Sequence, residues 1–265
     1  MEQVSPQDAE SWPTEQYIPR YQQWPYTSED FKRQDESPDP AFYDAPRLVT
    51  HIDDHAIESL KRYYLRNIPR KGRVLDLCTS WVSHFPPEIK EQIQKGELQV
   101  VGIGMNKKEM DANPCLNGGR IELDLNTSPE FPTSPDRPTP ELFDAAACVV
   151  SIDYLTLPKE VLAHLRSVTK EGGKVHLVIS DRCFPTKAIG RWLRISPDER
   201  LQMVGDYLWF SGWRDIEIVD LSTMEDAQGG SRVDAAIQWM GMQTHDPLWV
   251  VRGVNPCGRE GQVSN

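Results

Sequence analysis

Small polar and acidic residues follow several apolar runs in this chain of 265 residues. The run 73–77 contains Asp76 and continues into Cys78, Thr79 and Ser80. Small residues let the backbone approach a ligand closely, and carboxylate and hydroxyl groups bind polar ligands through hydrogen bonds. This stretch therefore predicts a turn that contacts a small polar ligand.

The apolar runs themselves predict the strands of one sheet, because parallel strands buried on both faces are apolar along most of their length. Helical patterns lie between most of these runs, as in folds whose helices cover both faces of a sheet. Ligands bind such open sheets at the carboxyl ends of the strands. We therefore expect an α/β fold with a Rossmann-like, doubly wound, mostly parallel seven-stranded sheet and an antiparallel last strand, built from residues 73–77, 100–103, 121–126, 143–151, 174–180, 213–220 and 248–254.

The strand and acid at residues 74–77 resemble the first motif of the class I S-adenosylmethionine (SAM) dependent methyltransferases. Two downstream stretches, 153–155 and 182–187, are similar to a methyltransferase branch close to the type 11 group. The resemblance extends over roughly residues 40–254. It implies SAM as the cofactor, S-adenosylhomocysteine as the product and a small molecule as the methyl acceptor.

Two features depart from the pattern of that superfamily. Cys78, Thr79 and Ser80 stand where relatives have glycines, and we expect them to replace glycine only if the backbone there avoids positive φ. Gly104 stands where relatives carry an acid that binds the ribose hydroxyls. Asn106 is predicted to make the ribose hydrogen bonds instead.

The resemblance also implies which residues contact the cofactor. The first turn would surround the methionine part of SAM, and Asp124 would face the adenine amino group beside the backbone of Leu125. A turn-initiating acid is the structural alternative for Asp124. The implied cofactor-binding residues are Asp76, Cys78, Thr79, Ser80, Gly102, Asn106, Asp124, Leu125, Asn126 and Ser151.

Further residues are expected near the transferred methyl group. Asp153 and His51 are the predicted catalytic residues, because a carboxylate or an imidazole can orient or deprotonate an acceptor. A helix cap at Asp153 and solvated charges ahead of the first long helix are the structural alternatives. The predicted substrate-binding residues are Arg47, Tyr154, Arg182 and Phe184.

The charge and composition of the chain indicate which classes of binding partner to expect. A formal net charge of −11 opposes binding to a nucleic-acid backbone, which requires a basic surface. No apolar run is long enough for a membrane span, and the first residues lack the basic start and apolar core of a signal peptide. The five cysteines form no CxxC pair, so no zinc site or disulfide framework is predicted and a cytoplasmic location is expected.

Residues 1–46 combine prolines and acids with many aromatic rings. We expect an N-terminal extension that its rings pin onto the protein as a lid, with a flexible tail as the alternative, because disordered segments are poor in aromatic residues. The predicted division is an extension at 1–46, a methyltransferase-like domain at 47–254 and a flexible tail at 255–265. An insert at 223–247 also predicts a short helix near residues 233–240.

The sequence thus favours a SAM-dependent methyltransferase that transfers the methyl group in line to a small molecule. The two departures keep a second hypothesis open, a scaffold or binding protein on the same fold. A SAM-binding enzyme that transfers no methyl group is a third. An NAD-dependent reductase is disfavoured, because the GxGxxG fingerprint is absent.

Overall fold

The computed structural model describes residues 12–132, 141–222 and 245–257. The helix predicted near residues 233–240 and residues 258–265 of the predicted tail lie outside them. The strands are β1 (Thr14–Gln16), β2 (Gly72–Leu77), β3 (Leu98–Gly104), β4 (Gly119–Glu122), β5 (Phe143–Val149), β6 (Thr169–Ser180), β7 (Arg214–Asp220) and β8 (Leu248–Val254). The α-helices are α1 (Asp39–Tyr43), α2 (Asp54–Asn67), α3 (Pro87–Gln94), α4 (Lys107–Ala112), α5 (Pro158–Ser167) and α6 (Pro197–Phe210).

The strands form one sheet in the order β1-β7-β8-β6-β5-β2-β3-β4. Strands β2 to β6 pair in parallel, and β8 runs antiparallel to both of its neighbours, β6 and β7. The strand order reverses at β2, whose neighbours are β5 and β3. Open α/β sheets bind ligands beside such a reversal, at the carboxyl ends of the strands.

Successive side chains of the central strands are buried on alternate faces of the sheet. Leu75 and Leu77 of β2 pack into one hydrophobic cluster, which α5 and α6 cover. Val74 packs into the other cluster, which contains the apolar sides of α2 and α3. Because successive side chains of a strand point to opposite faces, a continuous apolar run such as β2 fills both layers.

The helix boundaries follow local signals in the sequence. The side chain of Asp53 caps α2 by accepting a hydrogen bond of 2.8 Å from the backbone nitrogen of Ala56. Ser196 caps α6 in the same way through the backbone nitrogen of Glu199. Gly96 follows α3 with φ of +73°, as expected for a glycine that ends a helix. No helix among the described residues is long and apolar enough to cross a membrane.

Three expectations about the sheet need correction. The described residues form eight strands rather than seven, because Thr14–Gln16 adds an antiparallel edge strand to β7. The third predicted strand ends at Glu122, so Asp124 lies in the turn after β4. The strand predicted at 174–180 begins earlier, at Thr169, because the amide of Gly172 and the carbonyl of Gly173 pair with Asn255.

The N-terminal segment is anchored to α6 as well as to the sheet edge. The hydroxyl of Tyr17 donates a hydrogen bond of 2.5 Å to one carboxylate oxygen of buried Asp206. The hydroxyl of Tyr26 donates to the other oxygen. Trp24 packs between the ring of Tyr26 and the end of α6. These contacts hold residues 12–31 against the surface of the protein.

Candidate active site

A cavity of about 290 Å³ lies at the carboxyl ends of β2, β3, β4 and β5. Residues 43–52 and 182–184 form further parts of its wall. The structure brings fourteen of the sixteen predicted site residues to this cavity: Arg47, His51, Asp76, Cys78, Thr79, Ser80, Asn106, Asp124, Leu125, Asn126, Ser151, Tyr154, Arg182 and Phe184. The other two, Gly102 and Asp153, do not line it.

Asp76 organises the first turn. One of its carboxylate oxygens accepts hydrogen bonds of 2.6 Å from the hydroxyls of Thr79 and Ser83. Burial raises the pKa of Asp76 to about 6, although the two hydrogen bonds act in the opposite direction. The carboxylate therefore holds the turn together and also contributes to the cavity wall.

The backbone of the first turn differs from what its residue types suggest. Cys78 adopts φ of +55°, so the expectation that this glycine-free turn avoids positive φ is wrong. Val150, which follows β5 and also lines the cavity, adopts φ of +40°. A β-branched residue rarely occupies this region, and such strained backbone clusters at functional sites. Two neighbouring strands thus end in strained residues that face the same cavity.

The strain at Val150 gives a testable prediction. Val149 and Val150 both pack against the same hydrophobic cluster, so replacing either of them by asparagine removes apolar contacts. Because asparagine adopts positive φ more readily than valine, Val150→Asn is expected to remain about 1 kcal/mol more stable than its matched control Val149→Asn. Urea denaturation measures both variants, and equal destabilisation would contradict the strain.

The space around Gly104 excludes a side chain, and therefore an acid, at this position. A Cβ atom at this position would lie 2.3 Å from the carbonyl oxygen of Thr79. The backbone nitrogen of Thr79 also donates a hydrogen bond of 2.8 Å to the carbonyl of Ile103, so the first turn rests on the end of β3. A carboxylate side chain does not fit at position 104. The glycine-free first turn and the missing acid at position 104 are therefore linked, because the turn occupies the space that a side chain at position 104 would need.

Gly102 has a packing role inside β3. A Cβ atom there would lie 2.7 Å from the methyl group of Thr79 and from the side chain of Leu116. Gly102 does not line the cavity, so its predicted contact with the cofactor has no support in the geometry.

Asn106 and Asn126 use most of their polar groups on the protein. Asn106 caps α4 through Glu109 and donates to the backbone carbonyls of Tyr43 and Asp44. Asn126 donates to the carboxylate of Asp39 and to a backbone carbonyl, and its own oxygen accepts from Thr156. Both asparagines line the cavity but mainly position the segments around it.

Asp124 has a carboxylate oxygen available to a ligand. Its Oδ1 accepts a hydrogen bond of 2.9 Å from the backbone nitrogen of Asn126, and its Oδ2 has no partner among the described residues. Leu125 beside it is buried and belongs to the cavity wall. Asp124 and Leu125 thus lie together in the cavity wall, and their contact with the adenine of SAM stays a prediction.

Glu109 was not predicted as a site residue, yet it joins two walls of the cavity. Its carboxylate accepts hydrogen bonds of 2.6 Å from the hydroxyl of Ser80 and from the backbone nitrogen of Arg47. The signal in the sequence was the spacing Asn106–Glu109, which is that of a capping box. Such spacing indicates a helix start but does not reveal contacts with residues far away in the chain.

Aromatic rings surround Arg47 on one side of the cavity. Its guanidinium carbon lies 4.5 Å from the ring centroid of Phe42 and 5.4 Å from that of Phe184. The rings of His51 and Tyr154 pack against Phe184 as well. The backbone nitrogen of Phe184 also donates a hydrogen bond of 2.8 Å to the hydroxyl of Tyr154. This wall combines apolar area with one fixed positive charge.

Two imidazoles face the cavity. Burial lowers the pKa of His84 to about 4, and partial burial lowers the pKa of His51 below its usual value. Both shifts favour the neutral imidazole at pH 7. A neutral imidazole can donate and accept hydrogen bonds without adding charge beside a ligand.

Asp153 is buried away from the cavity. Its side chain is 3% exposed, and its Oδ2 has no hydrogen-bond partner among the described residues. Burial raises the pKa of Asp153 to about 8, so the group holds its proton at neutral pH. A protonated carboxyl group that does not reach the cavity gives no support to the predicted catalytic role.

The buried proton of Asp153 predicts a pH dependence. The folded protein keeps a proton that the unfolded chain releases near pH 4, so this group lowers the free energy of unfolding as the pH rises from about 4 to 8. The stability advantage of Asp153→Asn over the wild type is expected to be larger at pH 8.5 than at pH 5 by more than about 1 kcal/mol. Urea denaturation at both pH values measures the difference in unfolding free energy between the variant and the wild type. The same difference at pH 5 and at pH 8.5 would contradict the prediction.

A buried ionic cluster fixes the N-terminal segment beside the cavity. Arg33 donates hydrogen bonds of 2.8 Å to both carboxylate oxygens of Asp39. The ammonium group of Lys187, which is fully buried, lies 3.2 Å from Asp39 and 3.1 Å from Asp35. Hydrogen bonds from Arg33 and Asn126 lower the pKa of Asp39, although burial alone would raise it. Asp39 lines the cavity, so this cluster determines part of its wall.

Comparison with known proteins supports the fold. No protein-family model matches the sequence, and no curated protein matches it. Among solved structures, the [4+2]-cyclase SpnF is 14% identical over 83% of this chain and 92% of that chain, with a TM-score of 0.52. The complex between the Haloferax volcanii Trm112 methyltransferase activator and a proposed methyltransferase is 12% identical over 77% and 92%, with a TM-score of 0.50. A SAM-dependent methyltransferase from Mesorhizobium loti is 15% identical over 74% and 97%, with a TM-score of 0.49.

The chain has the fold of the class I SAM-dependent methyltransferases. The resemblance seen in the sequence is thereby confirmed at the level of the fold. A fold of this kind hosts different activities, so the function has to be argued from the cavity.

Proposed function

We propose that the protein is a SAM-dependent methyltransferase that acts on a small molecule. The observation that carries this proposal is the position of the cavity, at the strand ends beside the reversal of strand order. Asp124 lies in its wall, and the Oδ2 atom of Asp124 has no hydrogen-bond partner in the part of the chain that the structure describes. SAM, when bound, supplies an electrophilic methyl group that an acceptor attacks in line.

The residues on the cofactor side fit this ligand. Asp124 and Leu125 would hold the adenine, and the turn at residues 78–80 would contact the methionine part. The carboxylates of Asp76 and Glu109 add negative charge to this wall, which suits a cationic sulfonium. The volume of about 290 Å³ is near the lower end for small-molecule sites, so this cavity encloses a ligand closely.

The opposite wall would hold the acceptor. Phe184 and Tyr154 offer apolar area, and Arg47 offers a charge fixed between two rings. Such a wall orients an acceptor and excludes water, which are the main contributions that an enzyme makes to a direct displacement. His51 and His84 are the neutral imidazoles that would accept a proton from a hydroxyl or amine.

A second candidate is a SAM-binding enzyme that transfers no methyl group. Asp153 holds its proton away from the cavity, and the imidazoles of low pKa are weak bases. SpnF, a [4+2]-cyclase, shows that a protein of similar fold can have another activity. Incubation with SAM and a panel of small acceptors separates the candidates, because formation of S-adenosylhomocysteine supports transfer, and SAM binding without it supports the alternative.

The role of Asp124 makes the proposal testable at one residue. The variant Asp124→Ala is expected to weaken SAM binding about tenfold, because it removes a hydrogen bond to a charged group. Glu122→Ala is the matched control, since Glu122 is an exposed acid two residues earlier that does not line the cavity. Isothermal titration measures both affinities. Unchanged binding in Asp124→Ala, or equal weakening in the control, would remove the proposed adenine contact.

A further inference from the structure

Two histidines and an aspartate meet outside the cavity. The ligating atoms of Asp53, His55 and His245 all lie within 4.8 Å of one another. The rings of His55 and His245 stack, with centroids 4.3 Å apart and planes inclined by 13°. The Nδ1 atom of His245 is 3.6 Å from Oδ2 of Asp53. Two segments that are about 190 residues apart in the chain thus bring three metal-ligand side chains together.

Reciprocal hydrogen bonds fix these two segments. The backbone nitrogen of Asp53 donates to the carboxylate of Asp246 at 2.9 Å, and the backbone nitrogen of Asp246 donates to the carboxylate of Asp53 at 2.8 Å. Asp53 also caps α2 through Ala56, which orients His55 in the first helical turn. Arg182 binds the other oxygen of Asp246 at 2.7 Å. The ligand side chains therefore project from a preformed frame.

The donor set indicates the kind of ion. Imidazole nitrogens favour zinc, copper, nickel and iron, whereas magnesium and calcium favour oxygen ligands. Zinc bonds of about 2.0–2.1 Å in a tetrahedron place ligand atoms about 3.4 Å apart, close to the spacing already present between His245 and Asp53. The side chain of His245 is 48% exposed, so its ring has room to rotate toward the remaining ligands.

We propose that Asp53, His55 and His245 bind a divalent transition-metal ion, with zinc as the reference ion and water in the remaining coordination positions. The ion would join the start of α2 to residues 245 and 246. Arg182, which contacts Asp246, and His51, two residues before Asp53, both line the cavity. The site is thus at the rim of the cavity, but it shares no ligand with the proposed SAM site.

The test is a titration of the full-length protein, free of metal and without a polyhistidine tag, with zinc chloride. One zinc ion per chain is expected to bind, and His55→Ala and His245→Ala are each expected to weaken its affinity at least about tenfold. Asp53→Asn is expected to weaken it as well while keeping the helix cap, because asparagine caps as well as aspartate. Asp54→Asn is the control, since Asp54 is exposed, adjacent in sequence and outside the cluster.

Thermal unfolding gives a second readout. Zinc that binds the folded protein raises the melting temperature. That rise is expected in the wild type and in Asp54→Asn and is expected to disappear in His55→Ala and His245→Ala. The proposal would be overturned if zinc did not bind. It would also be overturned if the wild type and both histidine variants bound zinc with equal affinity, as they would if cysteines were the ligands. These outcomes do not depend on SAM, so they are independent of the proposed function.

Discussion

The variant Asp39→Ala is expected to lose about 3–5 kcal/mol of unfolding free energy. The substitution removes the carboxylate of Asp39, so the buried guanidinium of Arg33 loses its bidentate partner. Lys187 loses one of the two carboxylates that lie beside its ammonium group. Breaking a buried ion pair on one side is costly because the remaining charge stays desolvated. Urea denaturation at pH 7 measures the loss.

Lys32→Ala is the control for this prediction. Lys32 forms an exposed pair with Glu29 in the same N-terminal segment, so its removal is expected to change stability far less than the removal of Asp39. Because the pKa of Asp39 is lowered in the folded protein, its contribution is present at neutral pH and is lost as the pH falls through the acidic range. A loss in Asp39→Ala no larger than in the control would show that the cluster does not hold the segment.

The variant Gly104→Asp is expected to destabilise the protein by about 3 kcal/mol and to abolish SAM binding rather than improve it. An acid at this position would introduce the ribose-binding carboxylate that the resemblance to the class I methyltransferases implies. Here its Cβ atom would meet the carbonyl oxygen of Thr79 at 2.3 Å, and the first turn would have to move away from β3. Urea denaturation and isothermal titration with SAM measure the two effects.

An alanine variant at position 104 separates the steric effect of a side chain from the effect of its charge, and an alanine variant at another glycine is its control. Gly104→Ala adds only the Cβ atom and is expected to destabilise in the same direction as the aspartate. Gly253→Ala is its control within a strand, because the nearest atom to a Cβ there is a side-chain carbon of Trp213 at 3.3 Å. If Gly104→Asp folded normally and bound SAM more tightly than the wild type, the close contact between the first turn and β3 would be wrong.

Signals within a few residues predicted much of the fold. The apolar run of β2 and the caps at Asp53 and Ser196 each depend on neighbours in sequence. Strand β1 could not be predicted in this way, because its three exposed residues pair with β7 about 200 residues later. Pairing with an existing sheet edge, rather than intrinsic propensity, makes that segment a strand.

The candidate site shows the same limit. Asp76 and Asp124 were predicted because they lie at or just after the ends of strands, and strand ends of a parallel sheet meet at one edge. Asp39 and Glu109 were missed, because their contacts come from Lys187, Arg47 and other residues distant in the chain. The burial that keeps Asp153 out of the cavity likewise depends on packing around it, which residue types alone do not reveal.

The central claim is that the cavity binds SAM although its first turn lacks glycine and its second strand lacks the ribose acid. Isothermal titration of the purified protein with SAM and with S-adenosylhomocysteine tests it most directly. We expect both to bind with micromolar dissociation constants, about −8 kcal/mol in free energy. Absence of binding at millimolar ligand would contradict the claim and would favour a scaffold or binding protein on this fold.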